Sequence, residues 1–242
     1  MRRNEKRSIV NLPEAKLNER NRDQVTMPPE KTHSTYQFFK NLERLINLTD
    51  CIFAFAITLM VLSLAVPVVT KGNTAAELPV RLLSEWPTFL IYIISFIIIS
   101  EWWMAHHHIF QHIKKLDRTV TVLNFSFLFF ITLIPFHTSL IIEYPETPVA
   151  VIFYALTQAC AGVVLAALWW YATKHRRLSD TDITQGYVHY RVIRLLSGSG
   201  VFLISIGIAV FNTYLAELSW VFIGILIWLV NKWFYRKELL VF

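Results

Sequence analysis

Six stretches of this 242-residue sequence are each long enough and apolar enough to cross a lipid bilayer. A membrane-spanning helix needs about 20 mostly apolar residues. Charged residues make up 17% of the chain, against roughly 25% in an average soluble domain, and they are nearly absent from these stretches. We therefore predict an all-α, polytopic membrane protein with six transmembrane helices. The predicted spans cover approximately residues 45–67, 86–110, 119–142, 149–173, 190–212 and 218–235.

The positive charges are distributed unevenly between the two sides of these spans. Of the 23 Lys and Arg residues, only Lys71 and Arg81 fall in loops on the side that follows the first span. Because cytoplasmic loops are enriched in Lys and Arg, both termini are predicted to be cytoplasmic. The formal net charge of +6 follows from this bias. For the basic N-terminal residues, we favour a solvated tail near anionic lipid over a tail that binds nucleic acid.

Two regions follow from composition. Residues 1–40 lack an apolar core and are rich in charge, Pro, Asn and Thr, which predicts a disordered basic cytoplasmic tail. Residues 41–242 form the predicted six-helix transmembrane domain. Its loops are too short for an enzyme domain, and no Ser/His/Asp arrangement, phosphate-binding glycine loop or CxxC pair is present. We predict neither an enzyme nor a cofactor.

A histidine-rich segment, His106-His107-His108 with His112, invites a metal site. Three consecutive helical residues point in directions about 100° apart, so the run cannot chelate a metal as a unit. His108 and His112, four residues apart, could share a metal as two ligands on one face. We favour interfacial positions for them and predict no metal site.

Polar residues recur where three spans meet the same side of the membrane. Arg44 and Asp50 begin the first span, His106 and His107 end the second, and Asn124 begins the third. Ionisable residues in spans are costly and usually face the protein interior in pairs. We favour a scaffold that holds helix ends together over direct ion binding.

The first span carries a stripe with one hydroxyl among apolar side chains. At 3.6 residues per turn, Cys51, Phe55, Thr58 and Leu62 share this stripe, followed by Ala65 or Val66. One interpretation makes the stripe packed core, with Thr58 bonded to the carbonyl one turn back. The other places several copies around an axis, where rings of Phe55 and Thr58 line a pore that gates by dewetting.

Three spaced motifs resemble the transmembrane protein 175 family of potassium channels. The stretch RLINLTD at 44–50 resembles that family's R-x-x-x-F-S-D signature, and the helix behind it resembles the family's first helix. The stretch WMAHHHIFQHI at 103–113 is similar to its W-x-x-H-H-x-x-F-x-x-I pattern. Further matching residues before and along the third span are Asp117, Arg118, Asn124, Phe127, Pro135, Phe136 and Thr138.

The resemblance implies a potassium-selective channel whose pore is lined by the first helix of each of four subunits. It places Phe55 where the family has an aliphatic bottleneck residue, and Thr58 at a pore-lining threonine. It also implies a polar network of Arg44 and Asp50 with His106. Thr49 stands for the signature's serine and keeps its hydroxyl. Leu48, Cys51 and Phe55 depart from the family pattern.

We therefore predict a homotetrameric potassium-permeable channel, multi-pass in the cell membrane, with passive conduction. Phe55 would be a hydrophobic gate and Leu62 a second constriction. The predicted structural network is Arg44, Thr49, Asp50, His106 and Asn124. Partners are potassium ions, membrane lipid and further copies of the chain, with no nucleic acid. Two alternatives remain open: a proton-linked secondary transporter using Asp50 and His106, and a non-conducting membrane scaffold.

Overall fold

A computed structural model describes residues 29–69, 72, 74–174, 178–179 and 183–238, and most of them form helices that short segments connect. Asn41–Phe242 form one compact unit. The predicted disordered tail falls mainly on residues 1–28, outside the described residues, and the backbone of 29–40 is helical. The helices are α1 Pro29–Met60, α2 Thr74–Ser84, α3 Trp86–Phe110, α4 Arg118–Thr132, α5 Ile134–Glu143, α6 Pro148–Thr173, α7 Gln185–Ala209, α8 Thr213–Ser219 and α9 Val221–Glu238.

Six segments of this fold are long and apolar enough to span a membrane, as predicted. Two of them consist of two consecutive helices: α4 with α5 in the third span, and α8 with α9 in the sixth. Residues 68–85, predicted to be an external loop, contain α2. The six spans are Asn41–Ser63, Trp86–Phe110, Arg118–Glu143, Pro148–Thr173, Gln185–Ala209 and Thr213–Phe234.

The first span ends earlier than its sequence predicts. The sequence suggested a helix continuing to Val66, but α1 ends at Met60, followed by a 3₁₀ turn at Val61–Ser63. Leu64 is extended, with φ −85° and ψ 105°. The Ser63 hydroxyl lies 2.9 Å from the Ser139 hydroxyl of α5. This cross-helix contact fixes the end of the span, and the stripe does not continue to Ala65 or Val66 as helix.

The third span is interrupted near Pro135, where the proline predicts a kink. Helix α4 ends at Thr132, and α5 begins at Ile134 with Pro135 in its first turn. Proline has no N–H, and its ring clashes with the carbonyl four residues earlier, so an uninterrupted helix is disfavoured. The third span therefore consists of two helices, both of which pack against the fourth span.

The fourth span forms the centre of the bundle. Of its most apolar window, 61% is buried, the largest share among the six spans. Helix α6 approaches α7 closely at Gly162, where a Cβ atom would lie 2.0 Å from the Ser199 hydroxyl and 2.9 Å from the Trp102 ring. Small residues allow this kind of close helix packing in membranes. A larger residue at Gly162 would force the two helices apart.

One end of the bundle carries most of the described cationic side chains, and we call it the basic end. There α3 ends, α4 begins, α6 ends and α7 begins. Two connecting segments meet at this end, because the backbone N–H of Lys114 donates to the Leu178 carbonyl at 2.8 Å. The assignment of this end to the cytoplasm remains a prediction. Its cationic residues are Lys114, Lys115, Arg118, Lys174, Arg191 and Arg194.

Candidate pore-lining helix and its polar anchor

The first span has one face that packs against the rest of the subunit. Its buried side chains recur every three or four residues, the spacing of a single helix face. Phe53 is only 1% exposed, and its ring lies 6.0 Å from that of Phe127 in the third span. This face therefore holds α1 against its neighbours. The buried residues are Leu42, Leu45, Thr49, Phe53, Ala56 and Met60.

The predicted stripe lies on the opposite face. Phe55 is 68% exposed and Leu62 is 76% exposed, and Cys51 and Thr58 are exposed as well. At 100° per residue, Cys51, Phe55 and Thr58 lie about 140–200° from Phe53 around the helix. The stripe is therefore not part of the subunit core. The predicted backbone contact of Thr58 is present, because its hydroxyl donates to the carbonyls of Ala54 at 3.0 Å and Phe55 at 2.9 Å.

A shallow cavity of about 270 Å³ lies beside the stripe. Cys51, Phe55 and Leu59 line it from α1, and Thr132 lines it from the end of α4. The break before Pro135 thus coincides with a concave region on the exposed side of the first span. This region is large enough to accept a side chain from another molecule.

A buried chain of hydrogen bonds joins the first three spans near the basic end. His106 donates from Nε2 to Asn124 Oδ1 at 2.8 Å, and Asn124 Nδ2 donates to Thr49 Oγ1 at 3.1 Å. The Thr49 hydroxyl donates in turn to the Leu45 carbonyl at 2.9 Å. All three side chains are buried. We call His106, Asn124 and Thr49 the polar anchor.

Aromatic rings enclose the histidine of the polar anchor. The His106 ring stacks on Phe110 at 4.2 Å between centroids and lies nearly parallel to Phe127 at 5.8 Å. Phe53 of the first span lies 6.3 Å away on another side. This enclosure fixes the ring orientation, so the hydrogen bond to Asn124 has little freedom.

Asp50 lies outside the polar anchor and has a different partner. Its Oδ1 accepts a hydrogen bond from Trp103 Nε1 at 2.9 Å, and the Trp103 ring stacks on His107 at 5.3 Å. The side chain of Arg44 is exposed, with no hydrogen bond or ion pair among the residues described. Of the five predicted network residues, the structure joins Thr49, His106 and Asn124, whereas Asp50 and Arg44 lie apart.

The sequence could have indicated Trp103 as the partner of Asp50. Trp103 precedes His106 by three residues in the same matched motif, and it lies at the depth that topology assigns to Asp50. An indole N–H is a hydrogen-bond donor, and an ionised carboxylate is an acceptor. Sequence reasoning missed Trp103 because a carboxylate within a membrane span suggests a positively charged partner. An indole carries no charge.

The other histidines of the histidine-rich segment form contacts within their own segment and with the fifth span. His107 Nε2 lies 3.0 Å from the Gln111 side-chain amide, and His112 Nδ1 lies 2.9 Å from the His108 carbonyl. The His112 ring also stacks on Tyr187 at 5.6 Å. Across the described part of the chain, no three His, Cys, Asp or Glu side chains are arranged to hold a metal ion.

Six spans, of which the first is held on one face by the polar anchor and exposed on the opposite face, define a polytopic membrane protein. Residues 44–135, which include the polar anchor and the stripe, match a family model described as endosomal/lysosomal potassium channel TMEM175. A potassium channel of Streptomyces collinus is 30% identical over 165 residues, which cover 66% of this chain and 79% of that protein.

A solved structure and a more distant relative extend this comparison. The crystal structure of a lysosomal potassium-selective channel TMEM175 homolog from Chamaesiphon minutus superposes with a TM-score of 0.67 at 28% identity, covering 78% of this chain and 97% of that one. The endosomal/lysosomal proton channel TMEM175 of Danio rerio is 23% identical over 86% of this chain, but only 39% of that protein is covered. The chain belongs to the TMEM175 family, a family of channels and not of enzymes.

Proposed function

We propose that this chain forms a potassium-permeable channel in which cations move passively through a central pore lined by the first span of each of four subunits. The observation that carries the proposal is the stripe on the first span, exposed opposite the buried face. Membership of the TMEM175 family supports potassium as the permeant ion, because the Streptomyces collinus relative is a potassium channel.

The spacing of the stripe supports self-association of the first span around an axis. The exposed positions 48, 51, 55, 58 and 62 alternate steps of three and four residues, the 3.5-residue repeat of helices that pack along a shared axis. Arg44 continues the same stripe toward the basic end and is also exposed.

Two side chains of the stripe suit conduction. Thr58 donates its hydroxyl hydrogen to the backbone, which leaves the lone pairs of the oxygen available to a cation. Four such oxygens would surround the axis one helical turn from Phe55. Phe55 would form the narrowest apolar ring and Leu62 a second one, and apolar constrictions of this kind close by dewetting.

The polar anchor has a structural role in this proposal. It holds the buried face of the first span, opposite the stripe, against the second and third spans. The direction in which Phe55 and Thr58 point is fixed as a result. Asp50 assists through Trp103. The channel is proposed to lie in the cell membrane with both termini in the cytoplasm, supported by the bias of Lys and Arg toward one side.

The direct test is potassium flux into liposomes that contain the purified protein. Phe55→Ala widens the proposed constriction, and we expect flux above that of the wild type. Phe222→Ala is the matched control, because Phe222 is similarly exposed on the sixth span. The mass of the detergent-purified complex should correspond to four chains. If neither wild type nor Phe55→Ala passes potassium faster than protein-free liposomes, the proposal fails.

Proton-linked transport is the second candidate, favoured by the ionisable residues Asp50 and His106 within spans. It predicts a flux that saturates with substrate and is abolished by Asp50→Asn. Passive conduction predicts a flux that does not saturate and persists in Asp50→Asn. The same liposomes, loaded with a pH-sensitive dye, separate the two outcomes.

A further inference from the structure

A second, separate cavity lies between the second, fifth and sixth spans, on the far side of α3 from the first span. Its volume is about 280 Å³, near the small end of ligand-binding pockets, and its lining is predominantly aliphatic and aromatic. It follows α3 from Ile94 to Ala105, a rise of about 16 Å at 1.5 Å per residue. We call this elongated cavity the slot.

Small residues on two helices leave the slot open. A Cβ atom at Gly198 of α7 would only touch Ile223 at 3.9 Å, and one at Gly224 of α9 would meet nothing within 4 Å. The slot opens sideways past Ile97 and Val221, whose side chains are both exposed. In a bilayer, this opening would face the hydrocarbon.

The end of the slot nearest the basic end carries charge. Arg194 Nη2 lies 3.6 Å from Glu101 Oε2, and both residues line the slot. A charge-assisted hydrogen bond is shorter, about 2.7–2.9 Å, so this ion pair leaves the guanidinium donors of Arg194 largely unused. No hydrogen bond from them is formed within the described residues. Arg191 and Lys232 lie within about 8 Å of this end along their helices, so positive charge exceeds that of Glu101.

We propose that the slot binds one anionic phospholipid per subunit, with an acyl chain between the three spans and the phosphate on Arg194. The length, the apolar lining and the sideways opening match an acyl chain, and the excess positive charge matches an anionic headgroup. Arginine forms paired hydrogen bonds with phosphate oxygens. A fully apolar ligand would leave the charged end unused, and a free phosphate would leave the rest of the slot empty.

The slot shares a wall with the packing around the polar anchor. Trp102 lines the slot, its indole donates to Gln158 at 2.7 Å, and its ring contacts Phe127 edge-on at 6.2 Å. Phe127 in turn lies parallel to the His106 ring. A bound acyl chain would hold Trp102 in place from one side. An effect of the bound lipid on conduction rests on the proposed function, whereas the binding of the lipid to the slot does not.

Native mass spectrometry of the delipidated, full-length complex tests the binding. We expect the wild type to retain phosphatidylglycerol in preference to phosphatidylcholine with the same chains. Gly198→Leu fills the slot and should weaken binding of both lipids about tenfold, since each buried methylene contributes to lipid affinity. Gly224→Leu fills it from the opposite helix, in case the first variant does not fold. Gly200→Leu is the control, because Gly200 does not line the slot and a Cβ there meets nothing within 4 Å.

The headgroup is tested separately. Arg194→Gln should lower phosphatidylglycerol affinity about fivefold, the loss expected for one cation near the membrane surface, and leave phosphatidylcholine affinity unchanged. Equal retention of the two lipids by the wild type would overturn the proposal. It would also be overturned if Gly198→Leu and Gly224→Leu both fold and retain as much lipid as the wild type. A wild type that retains no lipid would mean that another copy of the chain covers the slot, which also overturns it.

Discussion

The first and fourth spans are similarly apolar, yet they occupy opposite environments. In the first span 28% of the most apolar window is buried, against 61% in the fourth. The fourth span has small residues at its contacts, such as Ala155, Ala159 and Gly162, and neighbours approach it closely. The first span keeps large side chains on an exposed stripe and is held by hydrogen bonds on its other face. Lipid is as apolar as leucine, so side-chain size and polar contacts, and not hydropathy, separate the central helix from the exposed one.

The largest effect is expected at the closest contact of the fourth span. Gly162→Val would place side-chain atoms where the Ser199 hydroxyl and the Trp102 ring already lie. Overpacking of this kind costs about 3 kcal/mol, and thermal unfolding in detergent measures the loss. Gly200→Val on α7, with nothing within 4 Å of its Cβ, should unfold like the wild type. An unchanged stability of Gly162→Val would mean that the close approach is not required.

A pair of phenylalanines sharpens the contrast between the two faces of the first span. Phe53 is 1% exposed and Phe55 is 68% exposed. Phe53→Ala should destabilise the subunit by about 2 kcal/mol, because a cavity opens beside Phe127 and His106, less than in a soluble core because lipid is itself apolar. Phe55→Ala should change stability by less than about 0.5 kcal/mol. The same unfolding measurement compares them, and equal losses would contradict the assignment of faces.

The smallest effect is expected from the polar anchor. Asn124→Leu leaves the His106 N–H without its acceptor and removes the hydrogen bond that Thr49 Oγ1 accepts, and hydrogen bonds between membrane helices contribute about 1 kcal/mol. We expect a modest loss of stability with a clear loss of potassium flux, because the first span is no longer held in one orientation. Ser126→Ala on the same helix removes only a local bond to the Val122 carbonyl and should change neither quantity. Full flux in Asn124→Leu would show that the anchor does not orient the pore.

The sequence predicted what depends on length, polarity and proline chemistry. The six spans, the break before Pro135 and the common depth of Asp50, His106 and Asn124 follow from such properties. The Asp50–Trp103 bond and the separation of Arg44 depend on how far each helix is rotated about its own axis, and one sequence does not determine that rotation. The slot follows from side chains that are too small to fill the space between three helices, which hydropathy does not detect.

The polar anchor also restricts the rotation of the first span about its own axis, and therefore the position of the proposed constriction at Phe55. Side-chain atoms lie about 5–6 Å from a helix axis, so a rotation of about 10° moves them by about 1 Å. The anchor's two interhelical bonds are 2.8 and 3.1 Å long, and a rotation that moved Thr49 by about 1 Å would break its bond to Asn124. The angular tolerance of Phe55 and Thr58 is thus set by side chains on the far side of the helix. Variation in pore width among channels of this architecture should therefore be sought in these hidden contacts as well as in the lining.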